Sequence, residues 1–146
     1  MPSAINMLTT FETNYQLGDS EMDKTHKEFL ALIYHLNGAS GVQFTKLFQR
    51  LIEHTQAHFE SEEVRMNDLS HGLLSEHRAE HLRVMADMKS FKKRVDMGRV
   101  DMGRVAMARA WVKESLPQWF DTHARMMDSA LAADIINRRE QQAVLD

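Results

Sequence analysis

Between Ser20 and Leu131 apolar residues recur every three or four positions, the period of helices with one buried face, and strand-like alternation is almost absent. Phe29, Leu30, Ile33 and Leu36 form the first stripe. Its helix should open near Ser20, where Ser20 and Asp23 have capping-box spacing, and stop at Asn37-Gly38 and Ser40-Gly41. A second helix is expected from about Phe44 to Asn67, with Phe44, Leu47, Phe48, Leu51, Ile52, Phe59 and Met66 on one face. After a turn over Asp68 to Ser75, a third starts near Ser75 and passes Phe91, carrying Val84, Met85, Met88 and Phe91. The fourth covers roughly Ala106 to Leu131, with Trp111, Leu116, Phe120 and Met127 as core candidates. Pro117 inside it lacks a backbone donor and should kink or break it.

Four amphipathic segments joined by short connections predict an all-α chain folded as an antiparallel four-helix bundle over residues 20–131. Residues 1–19 form an N-terminal arm. In the tail, 132–146, Ile135 and Ile136 follow Leu131 and either continue the helix or dock onto the bundle or a protein partner. Arg94–Gly98, Arg99–Gly103 and Arg104–Met107 make a small tandem repeat whose period of five fits neither helix nor strand, so it reads as a duplicated connector.

Composition narrows the chemistry. The chain has 146 residues, room for one domain, with eight histidines and no cysteine. Disulfides, thiol nucleophiles and cysteine metal sites are excluded, so a bound metal must use histidine and carboxylate. A net charge of -3 gives no basic field for nucleic acid. With neither a secretory signal nor an apolar run long enough to span a membrane, a cytoplasmic protein is expected.

Position sorts the histidines. On a helix, residues i and i+4 lie on one face a turn apart. His58 and Glu62 meet that test, as do His77 and His81, each pair in line with its helix's apolar stripe. His26 lies one turn before Phe29 and Leu30, and His123 follows Trp119 and Phe120 with Asp128 five residues on. That last spacing leaves Asp128 off the face of His123 in a regular helix, so joint ligation needs a wide turn. A single inward histidine is ordinarily a hydrogen-bonded core residue. Several imidazoles and carboxylates converging from different helices are hard to explain as packing, because each is costly to bury unpaired.

These residues carry a resemblance. Gly18-x-x-x-Met22-Asp23-x-x-His26-Lys27, His58-Phe59-x-x-Glu62-Glu63-x-x-Met66, His77-x-x-x-His81 and Trp119-Phe120-x-x-His123-x-x-x-x-Asp128, in that order over about Phe11 to Asp128, resemble the bacterial hemerythrin-like proteins, an oxygen-binding di-iron family. The resemblance implies an up-down-up-down bundle, the topology of myohemerythrin. It also implies two Fe ions: one held by His77, His81 and His123, the other by His26 and His58, with Glu62, Asp128 and a solvent-derived oxo or hydroxo group as bridges. The second iron, one ligand short, is where dioxygen is expected. Two ferrous ions, two carboxylates and one hydroxide leave a single net positive charge, tolerable inside a bundle. Five imidazoles among seven ligands set this site apart from the carboxylate-rich ferritin-like di-iron centres and favour reversible binding over oxidation.

Phe29, Trp119 and Met126, each about one turn from a ligand, are expected to wall the open position, although core packing explains any one of them equally well. His35 and His71, near segment ends, should face solvent. His54, where the family often has tyrosine, reads as a polar core residue or a partner of the ligands, and Glu63 as a surface charge or ion-pair partner. The expected function is dioxygen storage, delivery or sensing by a binding protein rather than an enzyme. The alternative is a redox enzyme on the same site, of peroxidase, nitric-oxide-handling or iron-repair type. Against it stands the lack of an obvious redox-active tyrosine or cysteine near the ligands.

Overall fold

The computed structural model describes residues 2–97 and 102–145, and every regular element among them is helical. Two short helices, α1 (Ala4–Thr9) and α2 (Phe11–Asn14), precede α3 (Ser20–Gly38), α4 (Gly41–Leu69) and α5 (Leu74–Asp96). A last rod follows: α6 (Met102–Ala110), a π-helical turn (Trp111–Ser115), α7 (Leu116–His123), a second π-helical turn (Ala124–Asp128) and α8 (Ser129–Leu145). The links after α3 and α4 are too short for anything but antiparallel neighbours, which makes α3, α4, α5 and the rod the four members of the bundle. The middle of the tandem repeat, 98–101, lies outside the described residues. Its flanks are helical, closing α5 and opening α6.

The N-terminal arm is not a plain extension. Met7, Phe11 and Tyr15, four residues apart, put one buried stripe into the main core, and α1 packs on α3. That core continues through Phe29, Ile33, Phe48, Leu51, Val84 and Met88. A smaller cluster of Met22, Met66, Leu131, Ala132 and Ile135 closes the other end. Along the helices, the polar residues of interest lie between these two apolar masses.

Local chemistry fixes the ends. Ser20 is the first helical residue of α3 rather than its cap; Asp19 caps it, accepting the Met22 amide at 3.0 Å. Asp23 reaches back to accept the Leu17 and Gly18 amides at 2.8 and 3.1 Å. Gly18 has φ +90°, and a Cβ there would meet Ile136 Cδ1 at 3.3 Å, so α8 packs where only glycine fits easily. The tail is thus a helical continuation docked on the bundle. Arg139 donates to Asp19 at 2.8 Å, and His71 pairs with Asp134 at 2.5 Å.

Pro117 does not break the rod. It sits in the first turn of α7, and the disturbance lies just before it, where the Leu116 amide donates to the Trp111 carbonyl five residues back. Widening that turn accommodates the proline ring and its missing donor. No helix among the described residues is long and apolar enough to cross a membrane.

Candidate metal centre

Each bundle member delivers part of one polar cluster. His26 comes from α3, His58 and Glu62 from α4, His77 and His81 from α5, and His123 and Asp128 from the rod. His58 is the most exposed at 9%, and the other six are buried. Asp128 reaches the cluster because residues 124–128 form a π-helical turn, in which the Ser129 amide donates to the Ala124 carbonyl. This is the wide turn that the five-residue spacing demands.

The two carboxylates divide the imidazoles between their oxygens. Glu62 Oε1 lies 2.8 Å from His58 Nε2 and 3.9 Å from His26 Nε2, while Oε2 lies 3.3 Å from His77 Nε2 and 3.1 Å from His81 Nε2. Asp128 Oδ2 lies 3.1 Å from His26 Nε2, and Oδ1 lies 3.0 Å from His77 Nε2 and 3.2 Å from His123 Nε2. Donor atoms of Glu62, His77, His81, His123 and Asp128 fall within 4.8 Å of one another, and those of His26, His58, Glu62 and Asp128 form a second such group. Ligands at right angles on a cation with bonds of about 2.1 Å stand about 3.0 Å apart. The cluster has that spacing twice, with Glu62 and Asp128 in both groups.

Hydrogen bonding among the residues does not account for the arrangement. The Nε2 atoms of His26, His77, His81 and His123 and all four oxygens of Glu62 and Asp128 are buried without a hydrogen-bond partner. Orphaned donors and acceptors of this kind are expensive unless something else satisfies them. Imidazole nitrogen and carboxylate oxygen are donors that fit first-row transition metals, so the residues fit a pair of cations.

The carboxylates favour the protonated form of the imidazoles nearest to both of them. Burial lowers an imidazole pKa, yet Asp128 and Glu62 outweigh it and push His26 up to about 10 and His77 to about 9. Burial prevails for His81, which is lowered despite Glu62. Burial also raises a carboxylate, but the surrounding imidazoles hold Glu62 and Asp128 well below the usual range.

The sequence profile of the hemerythrin HHE cation-binding domain matches residues 17–135. The chain belongs to that family. Among curated relatives it is 30% identical over 122 residues to a bacteriohemerythrin of Ralstonia nicotianae, covering 84% of this chain and 85% of the relative. No solved structure matches the chain.

Within this hemerythrin domain aromatic rings clamp the imidazoles. Phe59 stacks on His81 with centroids 3.8 Å apart, Trp119 stacks on His123 at 4.6 Å, and Phe120 meets His26 edge-on at 5.0 Å. Phe29, Phe59, Trp119 and Phe120 line a cavity of about 10 Å³ that touches His58, His123 and Asp128. Met126 does not join that wall: it is 69% exposed. The π-helical turn that swings Asp128 inward changes the register after His123, and one-turn spacing fails there.

The other histidines separate in the same way. His35 is exposed, as expected, but His71 is buried at 8% against Asp134 of α8, because the α4–α5 turn is covered by the tail. His54 pairs with Glu28 of α3 at 3.2 Å, and Glu63 pairs with Arg78 at 3.2 Å. Tyr15 escaped the sequence reading. Its hydroxyl donates to Asp121 at 2.6 Å, and its ring lies 6.2 Å from Phe120, one ring removed from His26. Its four-residue spacing from Phe11 was the available signal.

Proposed function

We propose that this domain binds dioxygen reversibly at a non-haem di-iron centre. His77, His81 and His123 would hold one iron and His26 and His58 the other, with Glu62 and Asp128 shared. The observation that carries the reading is the division of Glu62 and Asp128 oxygens between a three-imidazole group and a two-imidazole group. Unequal imidazole counts leave one cation short of a protein ligand, and an open position is what small-ligand binding needs.

A ferrous pair held by these residues would supply the two electrons for reversible dioxygen binding. The protein does the rest. Glu62 and Asp128, each with its oxygens turned to both imidazole groups, would hold the two cations together. Phe59 and Trp119 fix the planes of His81 and His123. The cavity under Phe29, Trp119 and Phe120 touches His58 of the two-imidazole group and His123 of the three-imidazole group, and is about large enough for one small molecule. Its apolar lining favours dioxygen over water and keeps protons from the bound ligand, which supports release over oxidation.

The test is to reduce the purified protein anaerobically, count iron and add dioxygen. Two irons per chain and a visible charge-transfer band that disappears on removing the gas are expected. One metal per chain, zinc, or a band that decays irreversibly at once would overturn the reading.

A further inference from the structure

A second opening reaches the cluster from the opposite chemistry. Between α3 and α4 lies a pocket of about 230 Å³, open to solvent and lined by Glu21, Thr25, His54, His58, Ser61 and Glu62 among others. It has room for several waters. It meets the cluster at His58, its most exposed member, and at Glu62, its shared carboxylate. The apolar cavity of about 10 Å³ offers a hydrated cation neither space nor replacement ligands along its aromatic wall.

The larger pocket, lined by Met22 and Ala57 as well as by the polar residues, offers both. Glu21 is 63% exposed at its rim and accepts from Ser61 at 3.2 Å. His54 lines the pocket one helical turn before His58, paired through Nε2 with Glu28, while its Nδ1 is buried without a partner. Arg65, which also lines it, donates twice to the buried Asp19, so its positive charge is answered there. Along this face oxygen and nitrogen donors lead from solvent to Glu62. A cation moving along them can exchange waters for ligands a few at a time.

We propose that this pocket is the entry port for divalent cations, with His54 as the landing donor that passes them to His58 and Glu62 and with Glu28, its hydrogen-bond partner at 3.2 Å, holding it in place. His54 is then a transit donor, absent from the final coordination, and Glu28 is a positioning residue that acts through it. The proposal rests on the reading of the cluster as a two-cation centre, and one measurement separates the two.

Metal-free full-length protein is mixed anaerobically with Co²⁺, and uptake is followed by its visible absorption. The final cobalt count is taken by elemental analysis. Wild-type protein should load two cations; if it loads none, the centre itself is wrong. His54→Tyr and Glu28→Gln should each slow loading about tenfold, within the range that charged clefts contribute to association rates. Their final count and spectrum should match wild type. Glu28→Asp should recover most of the rate, and His35→Ala, exposed near the far end of α3, should leave it unchanged. Rates within twofold of wild type in both His54→Tyr and Glu28→Gln, with two cobalts bound, would overturn the port. So would a changed final spectrum in His54→Tyr, because His54 would then be a resident ligand.

Discussion

Helix α4 and the rod that closes the bundle each hand the cluster one imidazole and one carboxylate, and they do so through different backbones. On α4 the two are four residues apart on a regular helix, His58 and Glu62. On the rod they are five apart, His123 and Asp128, and a π-helical turn restores the shared face. The long carboxylate sits on the plain helix, and the short one sits on the distorted helix. Spacing, side-chain length and backbone type therefore work as one unit: change one, and the carboxylate no longer presents an oxygen to each side.

The largest expected effect comes from removing the elements both arrangements share. Glu62→Ala or Asp128→Ala should abolish two-metal loading, as should His77→Ala, which lies within 3.3 Å of both carboxylates. His35→Ala should leave the metal count unchanged. Equal iron content in all four variants would dissolve the comparison along with the ligand assignment.

A subtler break targets the spacing itself. Deleting the exposed Met126 should turn the π-helical turn into a regular one and keep the following residues in register. The chain should fold but bind fewer than two irons, because aspartate is one methylene shorter than glutamate. Adding Asp128→Glu to the deletion should bring the second iron back. Full loading by the deletion alone would show that reach plays no part.

Solution pH sharpens the contrast between protons and cations in the same seats. His26 and His77 have folded-state pKa values above the ordinary 6.5. The stability they lend the metal-free protein is therefore complete below about pH 6.5 and lost as pH rises through about 9 and 10. Thermal melts of metal-free protein should fall across that window. Loaded protein should not follow, since cation binding requires deprotonated imidazole and strengthens as pH rises. Parallel curves for the two forms would contradict this exchange.

Two smaller effects follow. Trp119→Ala should keep two irons while accelerating irreversible loss of the oxygenated form several-fold, measured as decay of its absorption in air. Arg139→Ala removes an ion pair whose arginine is 58% exposed, so unfolding by urea should show a loss of about 0.5–1 kcal/mol, with metal content intact.

Much of this was legible in the residues. Helical periodicity located α3, α4 and α5, since each has one long apolar stripe facing one core. The His58–Glu62 and His77–His81 pairs followed from helix geometry alone, and the awkward distance from His123 to Asp128 demanded the wide turn that is present. Other features depend on which surface arrives to cover a residue. His71 looks like a turn histidine until α8 lies over it, and Met126 looks inward until the register shifts. Asp19 outcompeted Ser20 as cap because the same carboxylate also receives Arg65 and Arg139, partners 46 and 120 residues away. Local pattern holds no record of such distant partners.

One consequence concerns how the fold persists. The seven donors run from His26 to Asp128 on helices that no disulfide can join, since the chain has no cysteine. A cation pair gripping them all closes the intervening loops together, as a covalent cross-link would. This cross-link would be reversible: each tenfold rise in free cation above its dissociation constant adds about 1.4 kcal/mol per bound cation, and a chelator takes it away. With the site loaded as proposed, the stability of the fold would track the supply of metal around it.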